Sequence, residues 1–176
     1  MKKVLSICNK EQILVIMGIT KKLSNKHEIK SKYTALNLAL DYVNGVDYLQ
    51  ENKDLIGEMI ALSTETLVIG KYVLTFFEAL LRKLYFAVSC NQEEWFGFWI
   101  DQYLRALKAG DEALRTAVCT YITPIVIRID KISLAYILSK FLHEYKSVEQ
   151  KSISTLESLM TLLKVARQNK MIYVCD

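Results

Sequence analysis

Residues 29–43 read IKSKYTALNLALDYV, and apolar side chains recur in this stretch every three to four positions. Ile29, Tyr33, Leu36, Leu40 and Val43 therefore fall on one face of an α-helix with about 3.6 residues per turn. The same spacing continues along almost the whole chain, which has one proline and six glycines to interrupt it. The pattern predicts an all-α protein.

Breaks in this pattern divide the chain into about eight helices. The breaks coincide with Gly, Asn and Asp residues, which favour helix ends and caps. The predicted helices cover about 3–23, 28–43, 52–70, 71–88, 93–108, 112–127, 132–145 and 148–168.

Individual residues at these breaks carry specific expectations. Asn44-Gly45 and Gly70 are predicted to end helices, because both residue types tolerate the backbone that follows a last turn. Asn52 and Asp111 are predicted to cap the helices that follow them. Pro124 lies within an apolar run, where it predicts a kink or an early end.

The length and spacing of the helices suggest how they pack. Short loops favour antiparallel neighbours, and a spacing of roughly 40 residues per helix pair is typical of HEAT and armadillo repeats. We therefore expect residues 1–176 to form a single helical-repeat domain, a HEAT/armadillo-like stack. A closed bundle is the alternative, because a pattern of apolar residues does not fix topology.

Composition excludes several classes of protein. The chain has 176 residues, 52% hydrophobic and 24% charged, which argues against disorder, and its net charge of +4 does not favour a nucleic-acid partner. The longest charge-free run, residues 116–127, is shorter than the roughly 20 residues that span a membrane. The four cysteines form no CxxC pair, which fits a reducing cytoplasm.

No motif in the sequence indicates catalysis. Glycine-rich phosphate loops, zinc-protease motifs and serine-hydrolase motifs are missing from the sequence. His27, in a predicted loop, and His143, near a helix end, have no nucleophile or acid beside them in sequence. We expect no enzyme, no cofactor and no metal site.

Aromatic residues are densest in the segment EWFGFW at 94–99. Phe98 points well away from the apolar face that contains Phe96 and Tyr103, at 100° per residue. Trp95 and Phe98 are therefore candidate partner-binding residues, since aromatic side chains dominate interface hot spots. The alternative is a helix packed between neighbours on both sides.

The segment ALKAGDE at 106–112 is similar to the BH3 motif of Bcl-2 proteins, with Ala106 where the motif has Leu. This similarity suggests a Bcl-2-like helical bundle that regulates apoptosis. A simpler interpretation is that Gly110 ends one helix and Asp111 caps the next.

Four further segments share their order with a known family. Glu11–Thr20 is an apolar helix containing a glycine, Tyr33–Asn44 ends in an aromatic and polar pattern before a glycine, and Tyr72–Leu81 is strongly apolar. Pro124–Tyr136 combines a proline, a basic pair and a tyrosine. Together they resemble the carboxy-terminal domain of tubulin-folding cofactor D over most of residues 11–145.

This resemblance implies a chaperone rather than an enzyme. Such a protein is a HEAT-type scaffold that binds β-tubulin and works with sister tubulin cofactors and an Arf-like small GTPase. It would act in the assembly and disassembly of the tubulin heterodimer, in the cytoplasm and at the microtubule cytoskeleton. The basic pair Arg128 and Lys131 would be candidate partner contacts. Another HEAT-type scaffold is the alternative.

Overall fold

The chain is all-α in every part that the structure describes. The computed structural model describes residues 2–23, 25–65, 67–88, 91–147 and 153–168. These residues form helices and turns and contain no β-strand. The prediction of an all-α protein is confirmed, although the described residues hold more helical segments than the eight expected.

Contacts divide the chain into two compact units, which we name the amino-terminal unit (Met1–Phe98) and the carboxy-terminal unit (Trp99–Asp176). Each unit buries large apolar side chains of its own. That residues 1–176 form a single repeat domain stays a prediction.

The amino-terminal unit is organised around its longest helix. In chain order its helices are α1 (Lys2–Leu5), α2 (Lys10–Lys21), α3 (Lys26–Ala39), α4 (Gly45–Glu51), α5 (Leu55–Leu62), α6 (Leu67–Ala87) and α7 (Gln92–Gly97), with a 3-10 turn at Leu40–Tyr42 after α3.

Helices α3, α4 and α5 all pack against α6. The predicted face of α3 lies inward, and its Tyr33 and Leu36 are fully buried. Helix α6 contributes Phe76, Phe77 and Leu80 to the same core, and the rings of Tyr33 and Phe76 lie 5.7 Å apart. Burying side chains of this size contributes about 1.5–3 kcal/mol each, which stabilises the packing of α3 on α6.

The side chain of Lys83, on α6, caps the carboxyl end of α3. Its ammonium group donates hydrogen bonds to the carbonyl oxygens of Leu40 and Val43, the latter at 3.2 Å. A Cβ atom at Gly45 would lie 3.1 Å from Cβ of Lys83, so the glycine allows α4 to approach α6 closely. A cation suits this position because the last carbonyls of a helix carry partial negative charge.

The carboxy-terminal unit is built from shorter helices around α12. In chain order they are α8 (Ile100–Leu107), α9 (Glu112–Ala117), a π turn (Val118–Ile122), α10 (Thr123–Ile129), α11 (Ser133–Ser147) and α12 (Ile153–Gln168). Helix α12 packs against α9, the π turn, α10 and α11.

Pro124 explains the π turn. A proline inside a helix lacks an N–H, and its ring clashes with the carbonyl four residues back. Here the helix widens just before it, and the N–H of Thr123 donates to the carbonyl of Val118, five residues back. The Thr123 hydroxyl donates to the same carbonyl at 3.0 Å and accepts from the Tyr103 hydroxyl at 2.6 Å. The predicted disturbance at Pro124 is thus a π turn followed by a new helix start.

Helix ends at the amino terminus differ from the expectation. The predicted helix at 3–23 is two helices, because Asn9 forms a capping box at the start of α2. Its side chain accepts from the Gln12 N–H, and the Gln12 side chain accepts from the Asn9 N–H, both at 2.9 Å. A capping box fixes a helix start regardless of the apolar spacing around it.

The predicted roles of Asn52 and Gly70 are wrong. Asn52 follows the last turn of α4, where its side chain donates to the Tyr48 carbonyl at 2.7 Å instead of capping a later helix. Gly70 lies inside α6. Asn44 begins α4 by accepting from the Val46 N–H at 2.9 Å. The signals at Asn44 and Asn52 therefore marked real helix boundaries with the wrong direction, whereas the signal at Gly70 marked none.

Two further boundaries need correction. The predicted helix at 93–108 is two helices, α7 and α8, although its predicted inward residues are all buried. The backbone of His27 belongs to α3 instead of a loop. The predicted helix start at 148 lies outside the described residues.

Candidate partner-binding surface

Trp95 lies in α7 and is 1% exposed. Its indole N–H donates to the Leu81 carbonyl at 3.5 Å, and its ring meets that of Tyr85 edge to face at 5.5 Å. These contacts agree with the alternative of a helix packed among its neighbours. A role in partner binding stays a prediction for Trp95.

The other candidate residues are more accessible. Phe98 follows α7 and is half-buried. Arg128, near the end of α10, and Lys131, in the turn before α11, are exposed. Between these two cations, the buried Asp130 carboxylate accepts from the Ile132 N–H and the Ser133 hydroxyl, both at 3.0 Å. The turn is therefore fixed by Asp130, and the basic pair is left on the surface as a predicted partner contact.

Gly110 and Asp111 lie between α8 and α9. The Asp111 carboxylate accepts from the N–H groups of Ala113 at 2.9 Å and Leu114 at 3.3 Å, which confirms the predicted helix cap. The similarity of this segment to a BH3 motif therefore falls on a helix end, and its glycine and aspartate are explained by capping.

Helix α12 presents an apolar face outward. Four apolar residues that recur on it at helical spacing are exposed, with Ile153 at 77% and Met160 at 59%. We call this exposed face the α12 ridge; it comprises Ile153, Leu156, Met160 and Leu163.

A second apolar face of α12 is buried. Leu162, Val165 and Ala166 are buried on the opposite side of α12, together with Ser158. The Ser158 hydroxyl donates to the Leu107 carbonyl of α8 at 2.7 Å, which fixes the helix in this rotation. Both faces have helical spacing, so the spacing alone could not identify the buried one.

The α12 ridge is continuous. At 100° per residue its four side chains fall within an arc of about 80°. Lys164 is exposed beside its carboxyl-terminal half, and Arg167 is exposed one turn beyond Leu163. Single exposed apolar side chains are ordinary on a protein surface, but a continuous apolar stripe with polar borders marks a surface that binds another molecule.

A polar cleft of about 190 Å³ adjoins α12 on the side of α9 and the π turn. Arg115 organises it. Its side chain is 8% exposed, and its guanidinium donates to the carbonyls of Ala109 at 2.7 Å and Gly110 at 2.9 Å and pairs with Glu157 at 3.1 Å. The residues that line the cleft are Glu112, Arg115, Thr116, Cys119, Glu157, Ser158 and Thr161.

The side chains of this cleft stabilise the packing of the helices, and its thiol is unreactive. Burial raises the pKa of the Cys119 thiol to about 11, so the sulfur stays protonated at neutral pH and is a poor nucleophile. Arg115 makes three hydrogen bonds to the chain itself. These bonds tie the end of α8 and the start of α9 to α12, and they hold the α12 ridge outward.

Neither Arg115 nor the α12 ridge was predicted from the sequence. A signal for the ridge was present, because the number of apolar residues in α12 exceeds what one face of a helix can hold.

Within the described residues, no helix combines the length and apolarity needed to cross a membrane, and no three His, Cys, Asp or Glu side chains group as a metal site would require. No protein-family model, no curated protein and no solved structure gives a significant match to this chain.

Proposed function

We propose that this protein is a non-enzymatic helical module that binds a protein partner through the α12 ridge. The observation that carries the proposal is the continuous exposure of Ile153, Leu156, Met160 and Leu163 on a helix whose opposite face is buried. The ridge would lie in an apolar groove of the partner, since its spacing matches the anchors of the helix in helix-in-groove recognition.

The binding energy would come from burial of the ridge. Covering each of these partly exposed side chains contributes about 1 kcal/mol, less than the full burial of a Leu or Met. Arg115 and Ser158 hold α12 in place in the free protein, so little ordering would be needed on binding. Any switch between bound and free states would then depend on the partner.

For the identity of the partner we propose β-tubulin, on the basis of the sequence similarity to the carboxy-terminal domain of tubulin-folding cofactor D. The chain would act as part of a HEAT-like scaffold in the cytoplasm, with sister tubulin cofactors and an Arf-like small GTPase. Arg128 and Lys131 would supply further polar contacts to such a partner. This part of the proposal rests on the four similar segments between residues 11 and 145.

A binding assay with purified components tests both parts. The chain is immobilised and exposed in turn to purified tubulin and to the sister cofactors, and the bound protein is quantified. We expect tubulin to bind and Met160→Glu to weaken binding about tenfold or more, because it places a charge on the ridge. Phe86→Glu is the matched control, since Phe86 is 69% exposed on α6 and belongs to neither the ridge nor the turn that carries Arg128 and Lys131.

The outcomes separate the two parts. Failure of the unmodified chain to retain tubulin or any sister cofactor would remove the tubulin assignment. Equal binding by the Met160→Glu and Phe86→Glu variants would remove the ridge as the binding surface. Circular dichroism of both variants confirms that their helices are intact.

A further inference from the structure

Helix α2 of the amino-terminal unit has a second unpartnered apolar face. Ile13 and Met17 are buried on its inner side, whereas Val15 is 62% and Ile19 63% exposed. At 100° per residue Val15 lies almost diametrically opposite the buried pair. The side of α2 that faces away from the core is thus apolar at its centre.

Charges border this face in a particular order. Glu11 lies at its amino-terminal end and Lys22, directly after α2, at its carboxyl end. Both are exposed, and neither side chain has an ion-pair partner among the described residues. Glu11, Val15, Gly18 and Lys22 fall within an arc of about 60°.

Gly18 lies in the middle of this arc. A Cβ atom built there would have nothing within 4 Å, so no packing within the chain requires a glycine. Glycine costs about 1 kcal/mol in a helix interior relative to alanine. A residue without a side chain on an exposed face does, however, allow another helix to approach closely.

We propose that this face binds the same face of a second copy of the chain, with the two α2 helices antiparallel about a two-fold axis. In this arrangement Glu11 of each copy faces Lys22 of the other, and Val15 of each copy lies against Gly18 of the other. The residue numbers of each contacting pair (11 and 22, 15 and 18) have the same sum. All four contacts therefore form in a single antiparallel register of the two helices. A two-fold interface requires this self-complementarity.

The charge order favours a second copy over another occupant. An acidic partner would match only Lys22, and a basic partner only Glu11, whereas an antiparallel copy satisfies both ends at once. Antiparallel helix dipoles add to the attraction. A contact along about three helical turns is smaller than the standard interface of roughly 1,200–2,000 Å², so the dimer should be weak and reversible.

Sedimentation equilibrium of the full chain tests the proposal. Protein concentration is varied from about 10 μM to about 1 mM, the range in which a weak dimer forms. We expect the average mass to rise with concentration from 20.3 kDa toward twice that value. Glu11→Lys or Lys22→Glu alone should keep the chain monomeric, because each places like charges opposite one another.

Three further variants make the test specific to the register. The double variant Glu11→Lys/Lys22→Glu should restore dimerisation, since it exchanges the charges. Gly18→Leu should abolish it while the melting temperature stays unchanged or rises, because the added side chain enters open space. Lys71→Glu, an exposed charge reversal on α6, is the control and should dimerise like the unmodified chain.

Four results would overturn the proposal. They are a constant monomer mass up to about 1 mM, dimers in the single charge variants, no recovery in the double variant, and dimers in Gly18→Leu. Circular dichroism of each variant shows whether α2 is still folded. Met160→Glu, which tests the α12 ridge, should leave dimerisation unchanged, so the two proposals can fail separately.

Discussion

Lys32 is a charged residue that the fold almost completely encloses. Its side chain is 4% exposed, and its ammonium group lies 2.6 Å from a carboxylate oxygen of Glu58, which also accepts from the Tyr33 hydroxyl at 3.0 Å. Burial, and secondly the nearby Glu58 charge, raises the pKa of Tyr33 and of Tyr48 well above the ordinary value. Both tyrosines therefore stay neutral at any physiological pH.

Replacing one member of the Lys32–Glu58 pair should lower the free energy of unfolding more than replacing both. Lys32→Met leaves the Glu58 charge without its main partner, and we expect a loss of about 2 kcal/mol in the free energy of unfolding. This is below the cost for a fully enclosed pair, because Glu58 is 34% exposed. The double variant Lys32→Met/Glu58→Leu should regain most of the loss in urea unfolding.

The control for Lys32 is Lys71→Met on the exposed side of α6, which should change the free energy of unfolding by less than about 0.5 kcal/mol. A double variant as unstable as Lys32→Met alone would show that packing, rather than an unpaired charge, causes the loss.

Cys119 should resist alkylation in the folded protein. The thiol is 1% exposed and its folded pKa is about 11, so the reactive thiolate is scarce at pH 8. We expect iodoacetamide to modify the half-buried Cys8 first and to modify Cys119 only in denaturant, as read by peptide mass spectrometry. Rapid modification of Cys119 at pH 8 without denaturant would contradict its burial.

The same thiol contributes to the pH dependence of stability. Its folded pKa lies above its ordinary value of about 8.5, so the folded state holds the proton more tightly than the unfolded state. The stabilisation is complete below the ordinary value and is lost as the pH rises toward 11.

At the scale of the element, the π turn depends on Thr123. Its hydroxyl bonds to both the Val118 carbonyl and the Tyr103 hydroxyl in the interior. Thr123→Val keeps the shape but leaves the Tyr103 hydroxyl unpaired, so we expect a loss of about 2 kcal/mol in thermal or urea unfolding. Thr120→Val, at an exposed position of the same turn, is the matched control. Equal stability of the two variants would contradict this role of the hydroxyl.

Helices with one apolar face were predictable in their orientation. Tyr33 and Leu36 in α3, and Trp99 and Tyr103 around α8, are buried as the spacing predicted. Asp111 was predictable as a cap because an aspartate before a helical stretch has few other roles.

Helix α12 shows where prediction from spacing fails. Its two apolar faces compete, and a tertiary hydrogen bond from Ser158 to the Leu107 carbonyl decides between them. That bond joins residues far apart in sequence, so no local pattern contains it. For the same reason the sequence pattern did not show which apolar face of α12 would be exposed as the candidate surface.

At the scale of the whole molecule, each of the two compact units has its own core. Leu36 is fully buried in the amino-terminal unit, and Leu36→Asp would bury an unpaired charge at a cost of roughly 4 kcal/mol. We expect hydrogen exchange of α3 and α6 to accelerate strongly while α10 and α12 keep their protection. Ser31→Asp, exposed on the same helix, is the control.

Exchange that accelerates equally in α3, α6, α10 and α12 would contradict independent cores. It would instead favour one cooperative domain over residues 1–176.

The position of Lys83 at the carboxyl end of α3 affects how the fold responds to high salt. Mobile ions screen exposed pairs such as Lys10 and Asp47, whose side chains are 58% and 50% exposed. Lys83 is half-buried and bonds to carbonyl oxygens, where ions penetrate poorly. High ionic strength should thus loosen the periphery of α2 well before it disturbs the joint between α3 and α6.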